Sequence, residues 1–181
     1  DKNTNEAFFV IRDDTAYKDS APEKELKIGD LVNVGVGNPV KGDSPGWFYY
    51  LDVAPGEKVM SSPVVYDNTV FFSTYSPVGG TEEDSPCAVS LGSAYLHTVN
   101  LITGDPAKIN NDGSVADDRQ EKLLQQVPPP TPVLFMDEDK IKVVVGTEVP
   151  AEGTPRDQRL RKTQWRQLES NEANVIPVYE K

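Results

Sequence analysis

His97 is the only histidine and Cys87 the only cysteine in the chain, so the chemistry it could perform is narrow. A serine or cysteine nucleophile needs a base that works near neutral pH, and His97 is the one candidate. A lone histidine without a second His or Cys at ligand spacing is a poor zinc ligand, and it reads first as a packed or half-exposed side chain. One cysteine permits no internal disulfide and no CxxC motif. Cys87 is therefore a free thiol or half of a bridge to another chain. Gly35-Val36-Gly37 lacks the third glycine and the following helix of a phosphate-binding loop.

Metal chemistry is similarly thin. Asn110-Asn111-Asp112-Gly113 has the look of the middle of a calcium loop. With Gly113 in the sixth position, the first falls on Lys108 and the twelfth on Arg119, where carboxylates are required, so the EF-hand reading fails. A looser site could draw on Asp112, Asp117 or Asp118, and a solvated turn explains them as well. Asp137, Glu138 and Asp139 sit at a hairpin tip, where exposure accounts for them. No catalytic, metal or cofactor residues are assigned. The residues best suited to contact a ligand are the aromatic ones Trp47, Tyr49 and Tyr50, which could present a face to glycan or protein. The alternative is that alternate members of the run pack between sheets.

These residues belong to an acidic chain. Asp and Glu outnumber Lys and Arg 29 to 18, a net charge of -11, which argues against nucleic acid and anionic membrane surfaces. No apolar run approaches the length of a transmembrane helix. The start at Asp1 shows no signal peptide, as expected of a mature exported protein or of a fragment.

The elements that must position these residues read as strands. Gly and Pro, 13 and 15 of them, punctuate the chain throughout, as in an all-β protein rich in turns. Strands are expected at 7–11, 47–53, 57–60, 63–66, 70–74, 94–100, 132–136, 140–145, 162–168 and 174–179. In 94–100, Tyr95, His97 and Val99 should share one face, and Leu96 and Thr98 the other. Asp67-Asn68 suits a tight hairpin turn and Gly104 a second reversal. A single short helix is expected at Asp117–Gln126, with an acidic start and Pro128 as its stop. Residues 18–27, 76–92 and 148–158 read as polar loops, and Pro128–Pro130 as a stiff spacer.

Two segments repeat. Ser62-Pro63-Val64-Val65-Tyr66 leads through a turn to Val70-Phe71-Phe72-Ser73-Thr74. Thr131-Pro132-Val133-Leu134-Phe135 leads through an acidic turn to Val143-Val144-Val145-Gly146-Thr147. The first continues into Ser93–Gly104, and the whole resembles the pyrroloquinoline-quinone-type propeller repeat, one blade over residues 58–104.

Neighbouring segments sharpen this. Gly46–Val53 followed by Gly56–Val65 resembles the C-terminal domain of PilC/PilY-type pilus-tip proteins. Further likenesses lie in Phe8–Asp14, in Val70–Pro77 before a cysteine-bearing loop, and in Arg161–Leu168 around Trp165. The likeness runs in order over residues 7–168, leaving 169–181 as a tail or strand. It implies a mainly β fold: antiparallel sheets forming blades of a modified, incomplete propeller, with long loops and at most one short helix. The chain would be a single β-rich domain over 1–181, a C-terminal part of a larger propeller or one completed by another chain. The family's calcium loop is not found here, so no cofactor is expected in this segment. The implied function is non-enzymatic: type IV pilus assembly, retraction control or adhesion. The chain would be exported to the cell surface and partnered by pilin or minor pilin subunits, with a host or surface ligand as a further partner. Two other functions fit the same residues: a structural subunit of an extracellular filament or surface layer, and a fragment of a quinoprotein dehydrogenase needing quinone and calcium.

Overall fold

The computed structural model describes residues 6–13, 25–78, 92–108, 115–137 and 140–155. Eleven strands are described: β1 (Ala7–Ile11), β2 (Val32–Asn33), β3 (Gly46–Tyr50), β4 (Lys58–Val59), β5 (Val64–Tyr66), β6 (Thr69–Ser76), β7 (Ser93–Asn100), β8 (Gln120–Lys122), β9 (Val133–Asp137), β10 (Lys140–Val145) and β11 (Glu148–Pro155). Two single-turn 3₁₀ segments, Ile28–Asp30 and Val34–Val36, flank β2. Mainly β architecture is thus the outcome, with no α-helix among the described residues.

The strands form three sheets that follow the chain. The first has the order β1-β3-β2. Its β1–β3 pair is antiparallel and its short β2–β3 pair parallel, an exception to the expected all-antiparallel pattern. In the second, β4 and β5 both pair with β6 along one edge, and β7 and β8 complete the sheet. The third is the meander β9-β10-β11.

Packing follows from strand alternation. Along β6, Val70 and Phe72 point towards the first sheet, joining Val34, Trp47, Tyr49, Leu51 and Val99 in one core. Phe71 points the other way and joins Ala94, Leu96, Leu123, Val143 and Val145 in a second core against the third sheet. The second sheet is therefore a middle layer, which explains why β6 and β7 are buried on both faces. Such strands need near-continuous apolar or hydrogen-bonded side chains. The expected division of β7 holds: His97 pairs with Phe72 and Leu96 with Ser73 in register, so they serve opposite layers.

Turn chemistry matches the sequence at two reversals. Asp67 and Asn68 adopt φ of 44° and 59°, the left-handed pair that a two-residue hairpin twisting with its strands requires. Gly104 has φ of 69° and its N–H returns to the Asn100 carbonyl.

Two expectations fail. Asp117–Gln126 is not a helix; Gln120–Lys122 is an edge strand pairing with Tyr95–His97. A helix there would leave β7 without its outer neighbour. Leu123 is buried in the second core while Leu124 is 89% exposed, an alternation that suits extended chain. Helix preference is worth only tenths of a kcal/mol per residue, roughly, and a sheet edge outweighs it. The polar segment after Val145 is also not a loop: it forms β11 against β10 with a register irregularity. Its first residue, Glu148, accepts hydrogen bonds from the Leu124 and Gln125 N–H groups at 2.7 and 2.6 Å, which ties the third sheet to the segment after β8. The strands expected at 162–168 and 174–179, and Cys87, lie outside the described residues.

Candidate functional site

The densest group of chemically capable side chains lies between the first and second sheets. Glu57 comes just before β4, Thr74 from β6, His97 from β7 and Tyr49 from β3. The side chains of Glu57 and His97 are fully buried. His97 Nε2 lies 3.0 Å from Glu57 Oε1 and 3.1 Å from Thr74 Oγ1. The Thr74 hydroxyl donates to Glu57 Oε1 at 2.5 Å, and the Val53 N–H donates to Glu57 Oε2 at 3.1 Å. On the other side of the ring, His97 Nδ1 is 2.9 Å from the Tyr49 hydroxyl.

These contacts assign protons. An ionised carboxylate only accepts, so Nε2 carries the proton directed at Glu57. Nδ1 and the Tyr49 hydroxyl share the other hydrogen bond, the hydroxyl donating to a neutral ring and accepting from a charged one. Burial by itself would raise the Glu57 pKa. The hydrogen bonds from His97 and Thr74, the His97 charge and the Val53 N–H outweigh it, and the net result is a carboxyl held below its usual range. Burial pushes the Tyr49 hydroxyl far above its ordinary range; the Arg119 charge opposes this and the Glu57 charge adds to it.

Aromatic packing fixes the imidazole in place. Phe72 stacks on His97 with centroids 4.7 Å apart and planes 10° from parallel, and Phe8 of β1 stacks on Phe72 at 4.0 Å. Arg119 lies over the Tyr49 ring, its Cζ 5.4 Å from the centroid. Its guanidinium also donates to the Gly104 and Val34 carbonyls at 2.8 and 2.9 Å. One cation thus joins the first sheet, the turn after β7 and the entry to β8.

The carboxylate–imidazole–hydroxyl order is that of a nucleophilic relay, with two differences. The terminal hydroxyl is a buried phenol that resists ionisation, and both ring nitrogens are already engaged. As arranged, the group satisfies a buried charge and locks three strands together. By letter, Gly42-Asp43-Ser44-Pro45-Gly46 is a Gly-x-Ser-x-Gly string. Ser44 belongs to a turn between Val36 and β3, where its hydroxyl accepts from the Lys41 N–H at 3.2 Å, and not to the strand-to-helix elbow of a hydrolase.

The aromatic residues singled out from the sequence part company. Trp47 and Tyr49 are 1% and 5% exposed, with the Trp47 indole N–H donating to the Leu101 carbonyl at 3.0 Å. Strand alternation turns Tyr50 outward, at 43% exposed. The three therefore form no common face. Tyr50 and the rim of Tyr49 line a polar cleft of about 220 Å³ with Asn33, Asp52, Asp117 and Asp118. Trp47 floors a separate apolar cleft of about 310 Å³. Asp112 lies outside the described residues, and among those described no three His, Cys, Asp or Glu side chains gather as a metal site.

Sequence reading gave Glu57, Thr74 and Arg119 no functional role. His97 and Tyr49 were named, but nothing in their spacing announced that 48 residues of separation close to one hydrogen bond. A buried-strand histidine needs partners, and that requirement is the one signal that could have prompted a search.

Comparison with protein-family models, curated proteins and solved structures finds no match. Among the described residues, no helix is long and apolar enough to cross a membrane.

Proposed function

We propose that this chain is a non-catalytic β module of the type IV pilus machinery, working at the cell surface in pilus assembly, retraction control or adhesion. In this reading it is the C-terminal part of a blade-built scaffold and binds pilin or minor pilin subunits.

The observation that carries the reading is the stacking of three sheets in chain order, with the middle one buried on both faces. Successive propeller blades pack in this way. The repeated hydroxyl–Pro segments support it, since each opens an antiparallel hairpin, β5–β6 and β9–β10, in neighbouring sheets. The ordered likeness to pilus-tip proteins supplies the biological setting. Engagement of both His97 nitrogens favours a structural role for the one imidazole.

The reading is tested by immobilising the full chain and titrating purified major and minor pilins by surface plasmon resonance. Saturable binding of at least one pilin is expected. Absence of binding, both to this chain and to a longer polypeptide carrying it, would sink the proposal.

A further inference from the structure

The three-sheet stack ends in two sheet faces that the pilus reading does not use. Register puts Phe8 and Val10 of β1 opposite Tyr49 and Trp47 of β3, and these four turn inward to the first core. The outward positions of the same two strands are Ala7, Phe9, Ile11, Phe48 and Tyr50. An antiparallel sheet with one face in water ordinarily alternates apolar inside with polar outside. Here no charged residue takes an outward position in either strand, on a chain of net charge -11. The rings already form a row: Phe9 stacks on Phe48 at 5.6 Å, and Phe48 meets Tyr50 edge-on at 5.5 Å. Phe9, Ile11 and Tyr50 remain 44%, 59% and 43% exposed.

The opposite end of the stack repeats the pattern. Leu134 of β9 pairs with Val143 of β10 on the side that packs against the second sheet. Val133 and Phe135 therefore lie on the outer side, across from Val144 and Lys142. Val133 and Phe135 are 51% and 56% exposed. Between these ends, the second sheet is covered on both faces by its neighbours. The first and third sheets are thus written like middle layers, yet among the described residues each has a neighbouring sheet on one side alone.

We infer that both faces are covered by further copies of this chain stacked head to tail, the Phe9–Phe48–Tyr50 face of one copy lying on the Val133–Phe135 face of the next. One kind of contact then covers both ends, and it continues the sheet-on-sheet packing already present within the chain. A two-fold dimer through either face would leave the other bare. The contact is therefore heterologous, and it propagates. Size sets its strength. The five residues of β1 span roughly 17 Å and a three-stranded sheet is roughly 14 Å wide, a face of roughly 240 Å². That is well short of the ~800 Å² per partner of a stable complex, so a single contact is weak and assembly grows with concentration. The inference uses the stacking of sheets and not the pilin partner, so self-association and pilin binding stand or fall separately.

The test is sedimentation equilibrium of the full chain from ~10 μM to ~1 mM, in about 0.15 M salt to screen the net charge. The average mass should rise past that of a dimer at the upper end. Phe9→Lys and Phe135→Lys each spoil one face. Both make the chain less negative, so weaker association cannot come from added repulsion. Each variant alone should associate roughly tenfold more weakly than the parent, or worse, as loss of one buried aromatic side chain requires. Mixed in equal amounts, the two should regain the parent's affinity and stop at a one-to-one pair, because each keeps one intact face. Where a variant loses the parent's far-UV circular dichroism, Tyr50→Lys or Val133→Lys takes its place on the same face. A parent that stays monomeric throughout would overturn the inference. A dimer that grows no further and survives one of the two substitutions would also do so, since the pairing would then be two-fold. The same holds for a mixture that associates no better than its components.

Discussion

Glu57 and His97 are 40 residues apart in the chain, yet their side chains meet at 3.0 Å in a site from which water is excluded. A buried carboxylate is tolerated only when its lone pairs are satisfied. Here the imidazole, the Thr74 hydroxyl and the Val53 N–H do so. The stability of the interface between the first and second sheets therefore hangs on a polar group.

Removing one partner should be costly. Glu57→Ala leaves Thr74, His97 and the Val53 N–H without their acceptor in a dry site, and should lower unfolding stability by about 3–5 kcal/mol. Glu57→Gln keeps the shape and should lose less. Urea unfolding followed by Trp emission measures both; equal losses would show that the charge is irrelevant.

The same carboxyl should govern acid sensitivity. Because the folded state holds its pKa below the unfolded value, the folded chain binds fewer protons near that range, and stability rises with pH there. The contribution is complete above the ordinary carboxylate pKa and drains away as pH falls through the lower, folded value. Urea titrations from roughly pH 7 to pH 3 should show a flatter acid limb in Glu57→Gln than in the parent. Parallel acid limbs would contradict this.

Arg119 should behave as a structural bracket that lysine cannot replace. It reaches two carbonyls at once while its plane covers Tyr49. A lysine ammonium in its place would supply a point charge and no fork. A loss of about 1.5–3 kcal/mol is expected for Arg119→Lys, since hydrogen bonds from a charged group are given up. Thermal unfolding reads the change, and a variant as stable as the parent would refute the bracket.

The hairpin turn offers a test in both directions. Asn68 sits at φ of 59°, a conformation costing roughly 1–2 kcal/mol for most L-residues and least for Gly. Asn68→Val should lower stability by about that amount, and Asn68→Gly should leave it unchanged or raise it. Equal melting temperatures for Val and Gly at this position would mean that the turn is not held left-handed.

Gly46 should tolerate no side chain. Its φ is 153°, and the added methyl of alanine would press on the Val10 carbonyl and on Ile11 Cα at 3.0 Å. Both are backbone atoms of β1, so relief requires the β1–β3 pair to open. A loss of about 1–3 kcal/mol is expected for Gly46→Ala, with faster amide exchange at Phe8 and Val10. Unchanged exchange would count against the close approach.

Much of the secondary structure could be read from one dimension. Val64–Tyr66, Thr69–Ser76, Ser93–Asn100 and Lys140–Val145 are apolar and β-branched runs bounded by turn residues, and they are strands. Asp67-Asn68 and Gly104 turn the chain because their φ preferences are local properties. The alternation placing His97 opposite Leu96 is equally local.

Only tertiary structure could decide the rest, because it depends on which surfaces meet. Gln120–Lys122 is extended because β7 needs an outer neighbour, a demand made from outside that segment. Trp47 and Tyr49 are buried because the second sheet covers the face they share, while Tyr50, one residue on, is left at the surface. Glu57 carries no mark of burial in its own neighbourhood; its place is set by a histidine, a threonine and an arginine-backed tyrosine arriving from three different strands. Spacing along the chain determines which residues share a face. Only the packing of face against face determines which of those become a core, a cleft or a paired charge.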